Sequence, residues 1–350
     1  MIKGSGGSLA QRAWIKAVIL GSLLAGCPDE SSPGENDAEG DVGSKDAGPQ
    51  TEKDAGGTAA DPGAKVGTFT VRLVPPKPAS EGSAASAGYT AISGKVFSGA
   101  VPEEVQWEVD AESGGCSLLK PRVPFCDPGC GQDVCVEDDK CAPNPSAVNV
   151  GTVKLSGLKA SSGSSADINI EPIAASYSTP GGVTLAYPAF DEGGEIRLSA
   201  SGGALDLDIL SHGIAPLELT TTSFPLKPEA PLSVAWKAPG KKDISRIQLK
   251  LDISHHGGTK GKVECDVADT GSLSVPADLI TRLLKLGVAG FPTVVVDRVS
   301  SGTTKTSAGI VELKVVSELE QAVQIDGLTS CDDNSDCPSG KSCQSDLSCK

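Results

Sequence analysis

Eleven cysteines, an adjacent histidine pair and one acidic Asp-Thr-Gly-Ser run hold the chemistry this chain can offer. A thiol can take up a lipid, form a disulfide or bind a metal, so the setting of each cysteine decides its use. Cys27 stands far ahead of the rest. The other ten are even in number: Cys116, Cys265, and two quartets, Cys126, Cys130, Cys135 and Cys141, then Cys331, Cys337, Cys343 and Cys349. No pair of Cys-x2-Cys zinc knuckles appears, so disulfides are expected of them in an exported chain. His255-His256, near Asp252 and Glu264, holds residue types that bind metal. Neighbours on a strand face opposite ways, however, and Gly257-Gly258 follows at once, so the pair reads as loop. No metal and no cofactor are expected.

Asp269-Thr270-Gly271-Ser272 resembles the catalytic loop of aspartic proteases, in which two such loops bring carboxylates together to share a proton and activate water. The resemblance implies Asp269 as a catalytic residue facing a twin across a dimer, because the chain has no second Asp-Thr-Gly or Asp-Ser-Gly. The stretch before it, Glu264-Cys265-Asp266, is polar for a buried catalytic strand. The plainer reading is a hairpin turn with Gly271 supplying positive φ, which leaves Asp269 in solvent and tolerant of Asn. No Gly-x-Ser-x-Gly, His-Glu-x-x-His, phosphate-binding loop or dinucleotide fingerprint follows the first 26 residues. The expected function is therefore not enzymatic, with an aspartic-type peptidase as the alternative.

Leu23-Leu24-Ala25-Gly26-Cys27 follows Lys3, Arg12 and Lys16 and a short apolar run over 17–25. That order resembles the lipobox of bacterial lipoproteins. It implies removal of residues 1–26 and a diacylglyceryl group on the Cys27 thiol. The apolar run is about half the ~20 residues a spanning helix needs. The membrane is then a partner through lipid on Cys27. The expected location is the periplasmic face or the cell surface, on the outer membrane.

The two cysteine quartets resemble small crosslinked modules, loosely EGF- or Dickkopf-like, of bacterial surface lipoproteins. The tail carries this on Cys331, Cys337, Pro338, Gly340, Cys343 and Cys349, the first quartet on its four cysteines with Pro128 and Gly129. Each quartet allows three pairings. The expected ones are first to third and second to fourth: Cys126–Cys135, Cys130–Cys141, Cys331–Cys343 and Cys337–Cys349. Cys116 and Cys265 are left for each other, a bond that would tie two β domains together. Asp332, Asn334 and Asp336 begin like an EF-hand calcium loop. The pattern then fails, with Cys337 where Gly is needed and Cys343 in place of the closing acid.

The elements that must hold these residues are thin and β-rich. Only 3% of the chain is aromatic and the net charge is −15, so nucleic acid is not an expected partner. Residues 28–65 hold ten acids among Gly, Ala, Pro and Ser and read as a disordered tether. From Val66 onward short alternating segments recur between turns, which predicts a mostly β chain of sandwich type. One helix is predicted at 276–286, opened by Pro276 and stopped by Gly287. The expected division is a lipidated tether at 27–65, a β domain at 66–160 with a Cys-rich insert at 116–141, a β-sandwich at 166–328 and a Cys-rich module at 329–350. Ser161-Ser162-Gly163-Ser164-Ser165 reads as the joint between the domains. The stretch from Leu232-Ser233-Val234-Ala235-Trp236 through Pro276 resembles immunoglobulin-like or jelly-roll sandwiches of bacterial envelope proteins. That resemblance implies a structural or adhesive role, or the binding of an envelope protein or glycan.

Overall fold

The computed structural model describes residues 63–79 and 84–350. Cys27, the signal segment and most of the expected tether lie outside the described residues. The described chain is mostly β with one short helix, as expected. Its strands are β1 (Lys65–Val74), β2 (Tyr89–Val96), β3 (Gln106–Ser113), β4 (Cys116–Arg122), β5 (Val134–Glu137), β6 (Lys140–Ala142), β7 (Val153–Lys159), β8 (Ser165–Ile170), β9 (Ser176–Ser178) and β10 (Glu195–Ala200). They continue with β11 (Leu207–His212), β12 (Pro225–Leu226), β13 (Leu232–Ala235), β14 (Arg246–Asp252), β15 (Lys262–Ala268), β16 (Ser272–Val275), β17 (Thr293–Lys305), β18 (Ile310–Ala322) and β19 (Gln324–Ile325).

One sheet of nine strands runs in the order β3-β4-β15-β14-β17-β18-β1-β2-β9. Its spine is the hairpin of β17 and β18, thirteen residues each, paired from Thr293 opposite Ala322 to Lys305 opposite Ile310. The turn closes on Thr306, whose Oγ1 accepts from the N–H groups of Ala308 and Gly309. Strand β14 pairs with the open end of this hairpin, from Thr293 to Val299. Strand β1 runs parallel to the turn end of β18, from Ile310 to Ser317.

The inward face of the sheet therefore serves two cores. Around the turn end, Phe69, Val71, Val311, Leu313 and Val315 pack against Leu155, Leu198 and Ile209 of a four-stranded sheet, β11-β10-β7-β8. That half is a sandwich. Gly302 lets the two layers touch, since a Cβ there would fall 1.8 Å from the Leu210 carbonyl oxygen. Around the open end, Leu249, Leu251, Val263, Val294 and Val296 pack against the β13–β16 pair and the helix α1 (Ala277–Lys285). The helix buries Leu279, Ile280 and Leu283, carries Asp278 in its first turn and Arg282 and Lys285 in its last, and ends before Gly287 at φ +91°.

The expected boundary at 160–166 does not divide the structure. Residues 160–164 turn tightly between the antiparallel β7 and β8, with Gly163 at φ +84°. The chain instead alternates between the cores: β1 and β2 build the first, β4 the second, β7 to β11 the first again, β13 to β16 the second. Alternation of side chains fixes which face of a strand is buried, not which core receives it, so the sequence pattern could not separate them.

Candidate functional site

Asp269 is neither the exposed turn residue nor the paired catalytic acid that the sequence allows. It sits at the β15–β16 corner with its side chain 2% exposed. Its Oδ2 accepts from Arg298 Nε at 2.6 Å and from Ser245 Oγ at 2.8 Å. Its Oδ1 accepts from Trp236 Nε1 at 2.7 Å and from Arg298 Nη2 at 3.1 Å. Arg298, 1% exposed, spends its remaining donors on carbonyl oxygens: Nη2 on Lys237 at 2.7 Å, Nη1 on Pro216 at 3.0 Å and Ala215 at 3.3 Å. Every guanidinium N–H is thus engaged, and each carboxylate oxygen accepts twice. No second carboxylate contacts Asp269 among the described residues, and its oxygens are taken by donors rather than directed at a nucleophilic water. The enzyme-like loop is a structural clasp.

Its place in the fold gives the reason. On the inward face of β17, Arg298 follows Val294 and Val296 at the point where one core gives way to the other. Opposite it on β18 is Ser317, whose Oγ accepts from Leu217 N–H at 2.9 Å, while Ser300 Oγ accepts from His212 N–H at 3.3 Å. Residues 212–217, which carry the chain from the first core to the second, are pinned by this polar seam. Sequence reasoning missed Arg298. The available signal was its parity with Val294 and Val296, since a charge on the buried face of a strand demands a buried counter-charge.

The cysteines form five disulfides: Cys116–Cys265, Cys126–Cys135, Cys130–Cys141, Cys331–Cys343 and Cys337–Cys349. Cys116 and Cys265 are register partners on β4 and β15, both within the second core. Their bond staples neighbouring strands of one sheet and does not bridge two domains. The cysteine groups close enough to suggest a metal, in both quartets, are these disulfide sulfurs. The C-terminal module docks on the second half through Gly290 N–H to the Asp346 carbonyl oxygen at 2.8 Å and Ser330 Oγ to the Gly290 carbonyl oxygen at 2.5 Å. Its acidic turn is spent on capping: Asp333 and Asp336 cap the short 3-10 turn Asn334–Asp336, and Asn334 Oδ1 accepts from Cys343 N–H. His255 and His256 lie in the loop after β14 with ring centroids 3.9 Å apart, and His255 Nε2 is 3.9 Å from Glu320 Oε1.

The outward face of the nine-stranded sheet offers different chemistry. Gln248, Asp297 and Glu318 are register partners side by side on β14, β17 and β18. With Lys250, Glu264 and Val295 they line a cleft of about 330 Å³. Burial pushes the Asp297 carboxyl up, opposed by Lys314, whose Nζ is 3.4 Å from Oδ2. Burial likewise pushes Glu318 up against the opposing pull of Arg72, its ion-pair partner, and Asp297 adds to the rise. Asp297 Oδ1 is buried and has no hydrogen-bond partner among the described residues.

No family model and no curated protein matches the chain. Among solved structures, the FN1-FN3 domains of chicken CNTN1 are similar over 67% of this chain and 78% of that one, with 10% identity and a TM-score of 0.19. A likeness that slight carries no argument about this chain.

Proposed function

We propose that the protein is a lipid-anchored component of a bacterial cell envelope, acylated on Cys27, with a non-catalytic role in structure, adhesion or binding. Five disulfides support export, because such bonds persist in oxidising compartments. The Leu23-Leu24-Ala25-Gly26-Cys27 run supports lipid as the means of retention at the membrane. The observation that carries the non-catalytic part is the consumption of Asp269 by Arg298, Trp236 and Ser245. The one loop resembling an enzyme's is spent on joining two cores, while the mixed polar cleft remains on an open sheet face. Crosslinking in intact envelopes followed by fractionation tests the assignment. Recovery in the outer-membrane fraction with an envelope protein or glycan attached supports it. Recovery as free soluble protein, or peptide-bond cleavage that depends on Asp269, overturns it.

A further inference from the structure

The nine-stranded sheet ends in two edges, β9 with three residues and β3 with eight. Beyond β3 there is no further strand among the described residues. Its one neighbour is β4, where Pro121 stands opposite Trp107 and Leu119 opposite Val109. Pro121 has no N–H to give, so Trp107 and Pro121 form a non-hydrogen-bonded pair. The N–H and C=O of Trp107 therefore point away from β4, toward the free edge. Arg282 takes the Asp110 carbonyl oxygen at 3.3 Å, which leaves 106–109 as the open stretch.

One side of this stretch is apolar. Trp107 and Val109 share the outward face with Pro121 and Leu119, and Lys262 Nζ lies 4.1 Å from the Trp107 ring centroid. Val109 is 57% exposed, and the chain leaving β4 adds Val123 and Phe125 at 70% and 71%. Phe125 is held in place. Its N–H donates to Asp138 Oδ1 at 3.1 Å, in the hairpin crosslinked by Cys126–Cys135 and Cys130–Cys141. Exposed apolar side chains on a rigid frame, next to unpaired backbone, suit the reception of a strand.

Charge decides which strand. Residues 101–141 hold ten acids against three bases. Glu108 leaves the other face of β3 with its side chain 63% exposed, and Glu103 and Glu104 are exposed just before it. Arg122 lies 3.7 Å from Glu108 but is drawn to Asp138 at 2.7 Å. A second copy would set these acids against themselves, and an anionic bilayer would be repelled. Residues 28–62 of this chain carry ten acids of their own and would be repelled as well. A basic segment meets no such penalty.

We infer that the open edge of β3 takes up an extended segment of another protein, with basic and apolar residues in alternation, as a tenth strand of the sheet. The backbone of the segment bonds to the edge, its apolar side chains lie along Trp107 and Val109, and its basic side chains reach Glu108 on the opposite face. This rests on the binding role proposed above and names its site and partner class.

The test uses the full disulfide-bonded chain and an end-capped peptide, Lys-Val-Arg-Phe-Lys-Val-Arg. Its controls are an N-methylated form, which cannot donate along the edge, and a peptide of the same composition with all its bases at one end. Binding is read by calorimetry and by amide shifts in NMR. The expected result is saturable binding of the alternating peptide, with shifts centred on 106–109, and no binding of the N-methylated form. Glu108→Lys and Val109→Ser should each weaken it about tenfold. Both positions are exposed and outside the two cores, so thermal unfolding of the variants should match the parent. Absence of saturable binding overturns the inference, as does equal binding of either control peptide, which would mean that charge alone attracts it. Self-association of the parent that Val109→Ser abolishes overturns it in favour of a second copy. Adsorption to phosphatidylglycerol vesicles that Val109→Ser abolishes overturns it in favour of a lipid surface. An envelope protein crosslinked equally by the parent and by Glu108→Lys removes this edge as the site and leaves the binding role standing.

Discussion

Asp269 and Arg298 meet in a buried bidentate ion pair that joins the β15–β16 corner to the centre of the longest hairpin and, through Arg298, to the crossover at Ala215 and Pro216. Removing one member of such a pair leaves the other charged and desolvated. Asp269→Asn should therefore destabilise the fold by about 3–5 kcal/mol, read from denaturant midpoints. Replacing the pair together, Asp269→Leu with Arg298→Met, should cost less than the sum of the single changes. A loss below about 1 kcal/mol for Asp269→Asn would sink the clasp. The parent should also show no pepstatin-sensitive peptidase activity in acid.

Asp297 and Glu318 each contribute a pH dependence opposite in sign to that of carboxyls such as Asp110 and Asp208, which their cation partners lower. Burial raises both in the folded state. Their contribution is therefore fully present below the unfolded-state carboxylate value and is lost as pH rises through the raised folded value. Asp297→Asn mimics the protonated form. It should raise the unfolding midpoint at about pH 7 and leave it nearly unchanged at about pH 3. Equal effects at both pH values would mean that the Asp297 charge carries no penalty in the fold.

The bond between Cys116 and Cys265 spans 149 residues, including the whole of β7 to β11. In the loop-entropy account a closure of that size contributes up to about 4–5 kcal/mol. Cys116→Ala with Cys265→Ala should lower stability by an amount of that order. Removing the Cys126–Cys135 bond, which closes only 9 residues, should cost visibly less. Alkylation without reductant followed by mass spectrometry should find none of these ten thiols free.

Cys27→Ser should leave the precursor unlipidated and uncleaved before residue 27. The parent should partition into the detergent phase of a Triton X-114 extract, and the variant should not. Acyl chains contribute about 0.8 kcal/mol per buried CH2, so two or more hold a protein at the membrane durably. Aqueous partition of the parent would remove the anchor.

How much of this the sequence disclosed follows from the range of each interaction. The helix at Ala277–Lys285 was legible because Pro276 and Gly287 act within a few residues of it. Strand β1 was legible in the alternation of Phe69, Val71 and Leu73 with Thr68, Thr70 and Arg72. The parallel pairing of β1 with β18 joins residues some 245 positions apart, and no local pattern encodes it. Asp269 shows the same limit at one site. Gly271 has the positive φ expected of it. Strand β15 pairs with β14 and β4 while β16 pairs with β13, however, so the segment is a corner between sheets and no hairpin. Arg298, Trp236 and Ser245, which settle the burial of Asp269, come from other segments.

Because β18 supplies Val311, Leu313 and Val315 to one core while the β17–β18 spine supplies Val294 and Val296 to the other, the timing of folding is constrained by the direction of synthesis. Chains emerge amino end first, and domains ordinarily close in that order. Here neither half can close early: the sandwich built from β1 onward waits for residues near 315, and the second half waits for residues beyond 290. A chain ending at residue 290 should lack protected amides in both halves by hydrogen exchange, although it contains most strands of each. The polypeptide thus stays uncommitted until β17 and β18 have both been made.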